Sequence, residues 1–395
     1  MNLRVLKLLI FLIIFFLIIF ITVFYLQETK NQDENFLVNK KNNLVVEKKD
    51  DEELKEKIGQ MLLVGFRGTK INENSYIARV LKEVKVGGVI LFDFDVPSRS
   101  FPRNIVSFEQ TKELISQLKE IAPFPIFVAV DVEGGEVNRL KRFISFSSPA
   151  EIGKKRDYQE TERIAGSISF QLATLGFNLN FAPVVDLNIN PQNPIIGALG
   201  RSFSGNPQEV IEQSKAFING FHKNNIISVI KHFPGHGSSA GDSHFGLVDV
   251  TETYNEKELI PFKELIKTGM VDAVMTAHLI NKKVDPEYPA TLSVKFLQEM
   301  LRKEMDFQGI IISDDMQMGA IIDNFSLEKA VIQAIKAGCD LLIFSNNVRD
   351  YDEQLPYKVR DIVLQAVKNG VIKEERIDES FQRIIKLKRK YKIIN

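Results

Sequence analysis

Positions 8–26 carry no charge, and nearly every residue among them is Leu, Ile, Phe or Val. Nineteen residues wound as a helix span roughly 28 Å, about one bilayer core. The pattern predicts an N-terminal transmembrane helix within 1–26. The run ends Thr22-Val23-Phe24-Tyr25-Leu26-Gln27, without a small-x-small cleavage site or a Cys for lipid attachment, so the anchor is read as uncleaved. Arg4 and Lys7 precede the span while Lys30, Lys40 and Lys41 follow it, so the charge rule leaves its direction open. The start is similar to a signal-anchor, which favours a short cytoplasmic tail and an extracytoplasmic globular part. Positions 27–53 are rich in Lys, Asn, Asp and Glu and lack apolar periodicity, which predicts a flexible polar tether.

From residue 54 to 395, short apolar runs alternate with longer amphipathic stretches. Strands are predicted at 61–66, 88–92, 126–131, 177–185, 227–232, 273–278, 310–314 and 340–344. Helices are predicted at 110–121, 161–175, 207–224, 294–304 and 327–337, among others. Several strands are apolar throughout, as parallel strands covered on both faces must be. Eight strands alternating with helices predict an α/β fold, a single (β/α)8 TIM-type barrel behind the transmembrane helix. An open doubly wound sheet is the alternative, because pattern does not prove closure. In a barrel, chemistry collects at the carboxyl ends of the strands. Asp131, Lys231, His232, His278 and Asp314 each close a predicted strand and are therefore expected on one face.

Composition narrows the function. Lys plus Arg equals Asp plus Glu at 51 each, which leaves no bulk field to recruit nucleic acid. The lone Cys339 excludes an intramolecular disulfide and a cysteine metal cluster, and its apolar setting reads as a small buried hydrophobe. No obligate protein partner is evident.

Four segments carry candidate chemistry. The first is Lys231-His232-Phe233-Pro234-Gly235-His236-Gly237 with Asp242-Ser243-His244 downstream. His232 and His236 have the i, i+4 spacing of a helical zinc pair, but Pro234 and Gly235 would break that helix and no acidic ligand is suitably spaced. No metal is expected. Asp242, two residues before His244, can instead orient an imidazole and stabilise its cation for proton transfer. Taken alone, Asp-x-His is common in surface loops. The second segment is Gly309-Ile310-Ile311-Ile312-Ser313-Asp314-Asp315. A carboxylate ending an apolar strand is rigid and partly desolvated, which suits a nucleophile, though such an Asp can also cap the next helix; Asp315 fits capping better. The third is Asp131-Val132-Glu133-Gly134-Gly135-Glu136-Val137-Asn138-Arg139, a tight turn that presents Asp131 and lacks the Lys-Ser/Thr of a phosphate loop. The fourth, Gly200-Arg201-Ser202-Phe203, supplies a loop cation.

In this order the four segments resemble glycoside hydrolase family 3, in its β-N-acetylglucosaminidase branch, over residues 55–390. The resemblance implies a retaining glycosidase without cofactor or metal. It aligns Asp314 with the nucleophile and His244 with the proton donor and acceptor, oriented by Asp242. Asp131, Arg139, Arg201, Lys231 and His232 align with residues that hold the terminal sugar. It implies a carbohydrate partner, terminal N-acetylglucosamine, with cell-wall peptidoglycan fragments the usual target in bacteria. Alternatives on the same barrel are a β-glucosidase or xylosidase, or a glycoside phosphorylase; a non-catalytic wall-binding protein is the rival from another class. Two departures stand out. Val132 replaces a residue that is commonly polar and is expected to point away from the sugar. Asp93-Phe94-Asp95 stands where relatives often carry Arg-Asn. The second domain of many β-glucosidases in this family is expected to be missing.

Overall fold

The computed structural model describes residues 2–348 and 350–394 and divides into two compact units, residues 1–54 and 55–395. In the first unit, the stretch Leu3–Lys30 is helical, long and apolar enough to cross a membrane, and its side chains are exposed. Helix α1 spans Leu3–Gln60, so the stretch 27–53 winds as helix where the composition predicts a flexible tether. No Pro or Gly occurs between Leu3 and Ile58, and Lys, Glu, Gln and Leu are good helix formers. Composition tests whether a segment can bury a core, which is a different question from whether it can wind.

The second unit is a closed barrel of eight parallel strands: β1 Leu62–Gly65, β2 Gly88–Ile90, β3 Phe127–Val130, β4 Leu179–Asn180, β5 Ile227–Phe233, β6 Ala273–Thr276, β7 Ile310–Asp315 and β8 Leu341–Phe344. Each pairs with its chain neighbours, and β8 closes on β1 through Leu62 with Leu342 and Val64 with Phe344. The open-sheet alternative is thereby excluded. All eight predicted strands are present. Most are buried along their whole length, because side chains on one face fill the barrel and those on the other meet the helices. Only β7 surfaces at its end, where Asp314 and Asp315 are half-buried.

β4 is far shorter than the predicted 177–185. Pro183 lacks a donor, and the side chain of Asn180 turns to the Val132 backbone, giving 2.8 Å to its N–H and 2.9 Å to its carbonyl. The helices obey local rules: Asn206 caps Pro207–His222, with its side chain accepting from Gln208 and Glu209, and Ser148 forms a capping box with Glu151 ahead of Pro149–Lys155. Cys339 is buried with its Sγ 3.6 Å from the Thr291 carbonyl, and burial pushes its thiol well up.

Candidate active site

After β3 the chain makes a small antiparallel hairpin, Val132–Gly134 against Val137–Asn138. Its turn needs φ of +105° at Gly134 and +60° at Gly135, a region that side chains disfavour. The hairpin brings Arg139 back beside its starting point, so that the Arg139 N–H donates to the Asp131 carbonyl at 3.1 Å. Val132 is fully buried, pinned by Asn180, and contributes nothing to the cavity wall.

Glu133, between these residues, is the hub of the floor. It is 1% exposed, and its two oxygens accept from Arg201 Nε at 2.7 Å and Nη2 at 2.8 Å. Lys231 Nζ lies 2.6 Å from the same carboxylate and 2.9 Å from Asp131 Oδ1. Burial alone would raise the Glu133 carboxyl, but Arg201 and Lys231 outweigh it and hold the group down to about 2. Burial would likewise discharge Lys231, and Asp131 and Glu133 keep its ammonium above the ordinary range. A second buried carboxylate, Asp186, lies 2.6 Å from His232 Nδ1 and accepts the His232 and His236 backbone N–H groups at 3.1 and 2.9 Å. His232 Nε2 then sits 3.3 Å from Arg201 Nη2.

The strand β5 leads into a long loop carrying Asp242 and His244. Asp242 Oδ1 is 2.7 Å from His244 Nδ1 and accepts the His244 backbone N–H at 2.9 Å. That side-chain hydrogen bond pushes the His244 imidazole above its ordinary value, and Asp314 adds to the effect. The His244 side chain is 57% exposed, so its free Nε2 edge is open to an incoming group. His236, by contrast, is fully enclosed: Nδ1 is 2.8 Å from Ser239 Oγ, and burial pushes the ring down to about 4. It braces the loop.

Asp314 ends β7. Burial alone would raise its carboxyl, but the imidazoles of His278, His232 and His244 hold it below the ordinary range. Burial drives His278 itself toward the neutral form. An ionised carboxylate and a protonated imidazole thus support each other's charge state. The neighbouring Asp315 borders the same space, but its oxygens accept from the Ser345 hydroxyl and the Gln317 N–H, and burial pushes it up to about 6. It organises the turns after β7 and β8, whereas the following helix Gly319–Ile322 has Met318 at its N-cap.

Asp131, Arg139, Arg201, Lys231, His232, Asp242, His244 and Asp314 line one cavity of about 420 Å³. His278, expected on the same face, is not among its walls. β6 stops two residues earlier, at Thr276, and His278 lies fully buried with Nε2 donating to the Asp315 carbonyl at 2.9 Å and Nδ1 2.8 Å from Thr291 Oγ1. At the departure after β2, Asp93 is buried with an oxygen 4.0 Å from Arg139 Nη1, while Asp95 is bound by Arg67 and Arg103. Asp93 therefore faces a cation of the cavity wall, whereas Asp95 pairs with two arginines that do not line it. A separate hollow of about 580 Å³, between 251–263 and 281–305, contains none of the eight residues.

Sequence reasoning passed over Glu133 and Asp186. Both signals were available: Glu133 sits in the quoted turn motif, and Asp186 ends an apolar run, Val184-Val185-Asp186, as Asp314 does.

Comparison with known proteins gives a consistent result. The chain is 34% identical over 339 residues to β-hexosaminidase A of Pseudoalteromonas piscicida, covering 80% of this chain and 55% of that protein. It is 38% identical to a β-hexosaminidase of Tolumonas auensis, covering 72% and 83% of the two chains. It superposes on a family 3 β-N-acetylglucosaminidase of Paenibacillus sp. str. FPU-7 with a TM-score of 0.78 at 34% identity, over 86% of this chain and 62% of that one. The chain thus spans little more than half the length of the Pseudoalteromonas and Paenibacillus proteins. The model for the glycosyl hydrolase family 3 N terminal domain matches residues 53–387. With that match over most of its length, and with the barrel and its acidic and basic strand ends in place, the chain belongs to glycosyl hydrolase family 3.

Proposed function

We propose that the protein is a retaining β-N-acetylglucosaminidase that removes terminal, non-reducing N-acetylglucosamine by double displacement. The observation that carries this reading is the shared cavity of Asp314 and the Asp242-oriented His244, above a floor of buried paired charges. The names of the relatives, β-hexosaminidase and β-N-acetylglucosaminidase, support the choice of sugar.

Asp314 attacks C1 from the face opposite the leaving group, and protonated His244 gives its proton to the departing glycosidic oxygen. The bond between C1 and that oxygen breaks as the bond between C1 and Asp314 forms. Neutral His244 then takes a proton from water, whose oxygen attacks C1 and frees Asp314. Asp131, Arg139, Arg201, Lys231 and His232 hold the hydroxyls and acetamido group of the sugar. Their own ion pairs fix them before substrate arrives, so little ordering is left for the binding step. The stretch Leu3–Lys30 serves as a single-pass anchor, with the catalytic unit outside the cytoplasm and cell-wall fragments as substrate.

Treatment with a 2-fluoro or 5-fluoro N-acetylglucosamine analogue is expected to trap the glycosyl-enzyme, with the label on the peptide containing Asp314. Label on another residue would refute the assignment of the nucleophile.

The charge states give a pH prediction. The alkaline limb of kcat/KM marks loss of the His244 proton, and the pairing with Asp242 places that limb above the ordinary imidazole value of about 6.5. Asp242→Ala removes the partner that raises it, so the limb should move to lower pH. An unmoved limb, measured from pH 5 to 9 on an aryl N-acetylglucosaminide, would show that Asp242 does not tune His244.

A further inference from the structure

His244 sits on a loop, and the placement of that loop against Asp314 rests on backbone contacts. The Gly319 N–H donates to the His244 carbonyl at 3.1 Å, and the Ala320 N–H to the Ser243 carbonyl at 3.2 Å. These amides open the helix Gly319–Ile322, where a first turn has no acceptors of its own. The same short segment starts at Asp314, the last residue but one of β7. One stretch of chain therefore carries the attacking carboxylate and the dock for the proton donor.

Side chains fasten the loop to itself, Asp242 to the His244 N–H and His236 beside the buried Ser243 hydroxyl, but the two outer side chains at its tip are open to solvent. The His244 side chain is 57% exposed, and Phe245 beside it is 80% exposed. On either side of it the loop has other fastenings: Glu258 accepts the Gly237 N–H at 2.6 Å, and Val248–Asp249 pairs with Leu279–Ile280. Between those points Gly319 and Ala320 supply the contact to the nucleophile strand. The contact tolerates no side chain. A Cβ on Gly319 would stand 2.8 Å from the His244 carbonyl oxygen and 2.9 Å from the Phe245 carbonyl carbon, both backbone atoms.

We propose that Gly319 is a positioning residue for proton transfer: its bare Cα lets the His244 carbonyl dock at the start of Gly319–Ile322, and that dock sets the reach of the imidazole to the leaving oxygen. This role rests on the assignment of His244 as the acid and base. A Cβ at 319 displaces the loop and leaves Asp314, Lys231 and Arg201 where they are. Only reactions that need a proton on the leaving group then suffer.

The test uses the full chain with two aryl N-acetylglucosaminides, one releasing phenol and the other releasing the far more acidic 2,4-dinitrophenol. kcat/KM is read because it ends with the glycosylation step. Gly319→Val is expected to lose about a hundredfold on the phenyl substrate, the low end for general acid catalysis, and less than about threefold on the dinitrophenyl one. Gly319→Ala, the milder change, is expected to show the same split at smaller amplitude and carries the test if the valine variant unfolds. The inhibition constant of N-acetylglucosamine should stay within about twofold, since the residues assigned to hold the sugar are untouched. Equal losses on both substrates, or none on either, would overturn the role of Gly319. Failure of the unaltered chain to hydrolyse either substrate would instead overturn the N-acetylglucosaminidase reading itself.

Discussion

Asp314→Ala is expected to lower kcat/KM on an aryl N-acetylglucosaminide by at least about a hundredfold, and His244→Ala by a similar factor. The two losses are distinguishable by what azide restores. Removing the Asp314 carboxylate opens space on the face of the sugar opposite the leaving group. Azide entering there displaces the aglycone with inversion, and the product is the α-glycosyl azide. Removing His244 leaves the glycosyl-Asp314 intermediate without a base to activate water. Azide needs no base and attacks from the face that the aglycone vacated, giving the β-glycosyl azide. The anomeric proton coupling in the product therefore reports which group each residue supplies. The same anomer from both variants, or full activity in either, would sink the assignment. The electrostatics favour the expected outcome, because the neighbouring imidazoles hold the Asp314 carboxyl below its ordinary range while Asp242 and Asp314 push the His244 imidazole above its own.

The barrel was legible because its strands are buried on both faces, which writes them as unbroken apolar runs such as Ile310-Ile311-Ile312 and Leu341-Leu342-Ile343-Phe344. Where side-chain hydrogen bonds replace ladder bonds, the pattern misleads: β4 ends at Asn180 although apolar residues continue past it.

Asp131, Lys231, His232 and Asp314 stood out in the sequence because each closes a predicted strand, whereas Arg139, Arg201, Asp242 and His244 were marked only by the resemblance of their motifs. The residues that hold them were less visible. Asp186 works through a 2.6 Å contact to the His232 ring, and the two positions are 46 residues apart in the chain. His278 misled for a related reason: being last in a predicted run places a residue at the mouth only if the strand reaches that far. Gly319 was invisible because its significance lies in what a Cβ would strike, a carbonyl 75 positions earlier in the chain. Such pairings are set by barrel closure, and no local pattern encodes them.

Glu133 is where stability and function meet, and Glu133→Gln is expected to destabilise the barrel by about 3–5 kcal/mol, the usual result of removing one partner from a buried ion pair. The amide keeps the shape and one acceptor but discards the charge. Arg201 and Lys231, whose side chains are 9% and 3% exposed, would then face each other with only Asp131 and Asp186 nearby. Lys231 retains Asp131 at 2.9 Å, whereas Arg201 loses one arm of its bidentate contact and the charge behind the other, and keeps the Ile195 carbonyl. The midpoint of denaturant unfolding measures the effect, and a change below about 1 kcal/mol would show that Glu133 is not the hub. The pH dependence supplies an independent check. A Glu that titrates near 4.3 when unfolded and is held down to about 2 when folded contributes stability that is complete above the unfolded value. That contribution is lost as pH falls through the folded value. The gap between the native chain and Glu133→Gln should therefore be constant from about pH 6 upward and shrink below about pH 4. On the proposed assignment of Arg201 to the sugar, catalysis should weaken in the same variant, because an Arg201 freed from its fork no longer has a fixed edge to present.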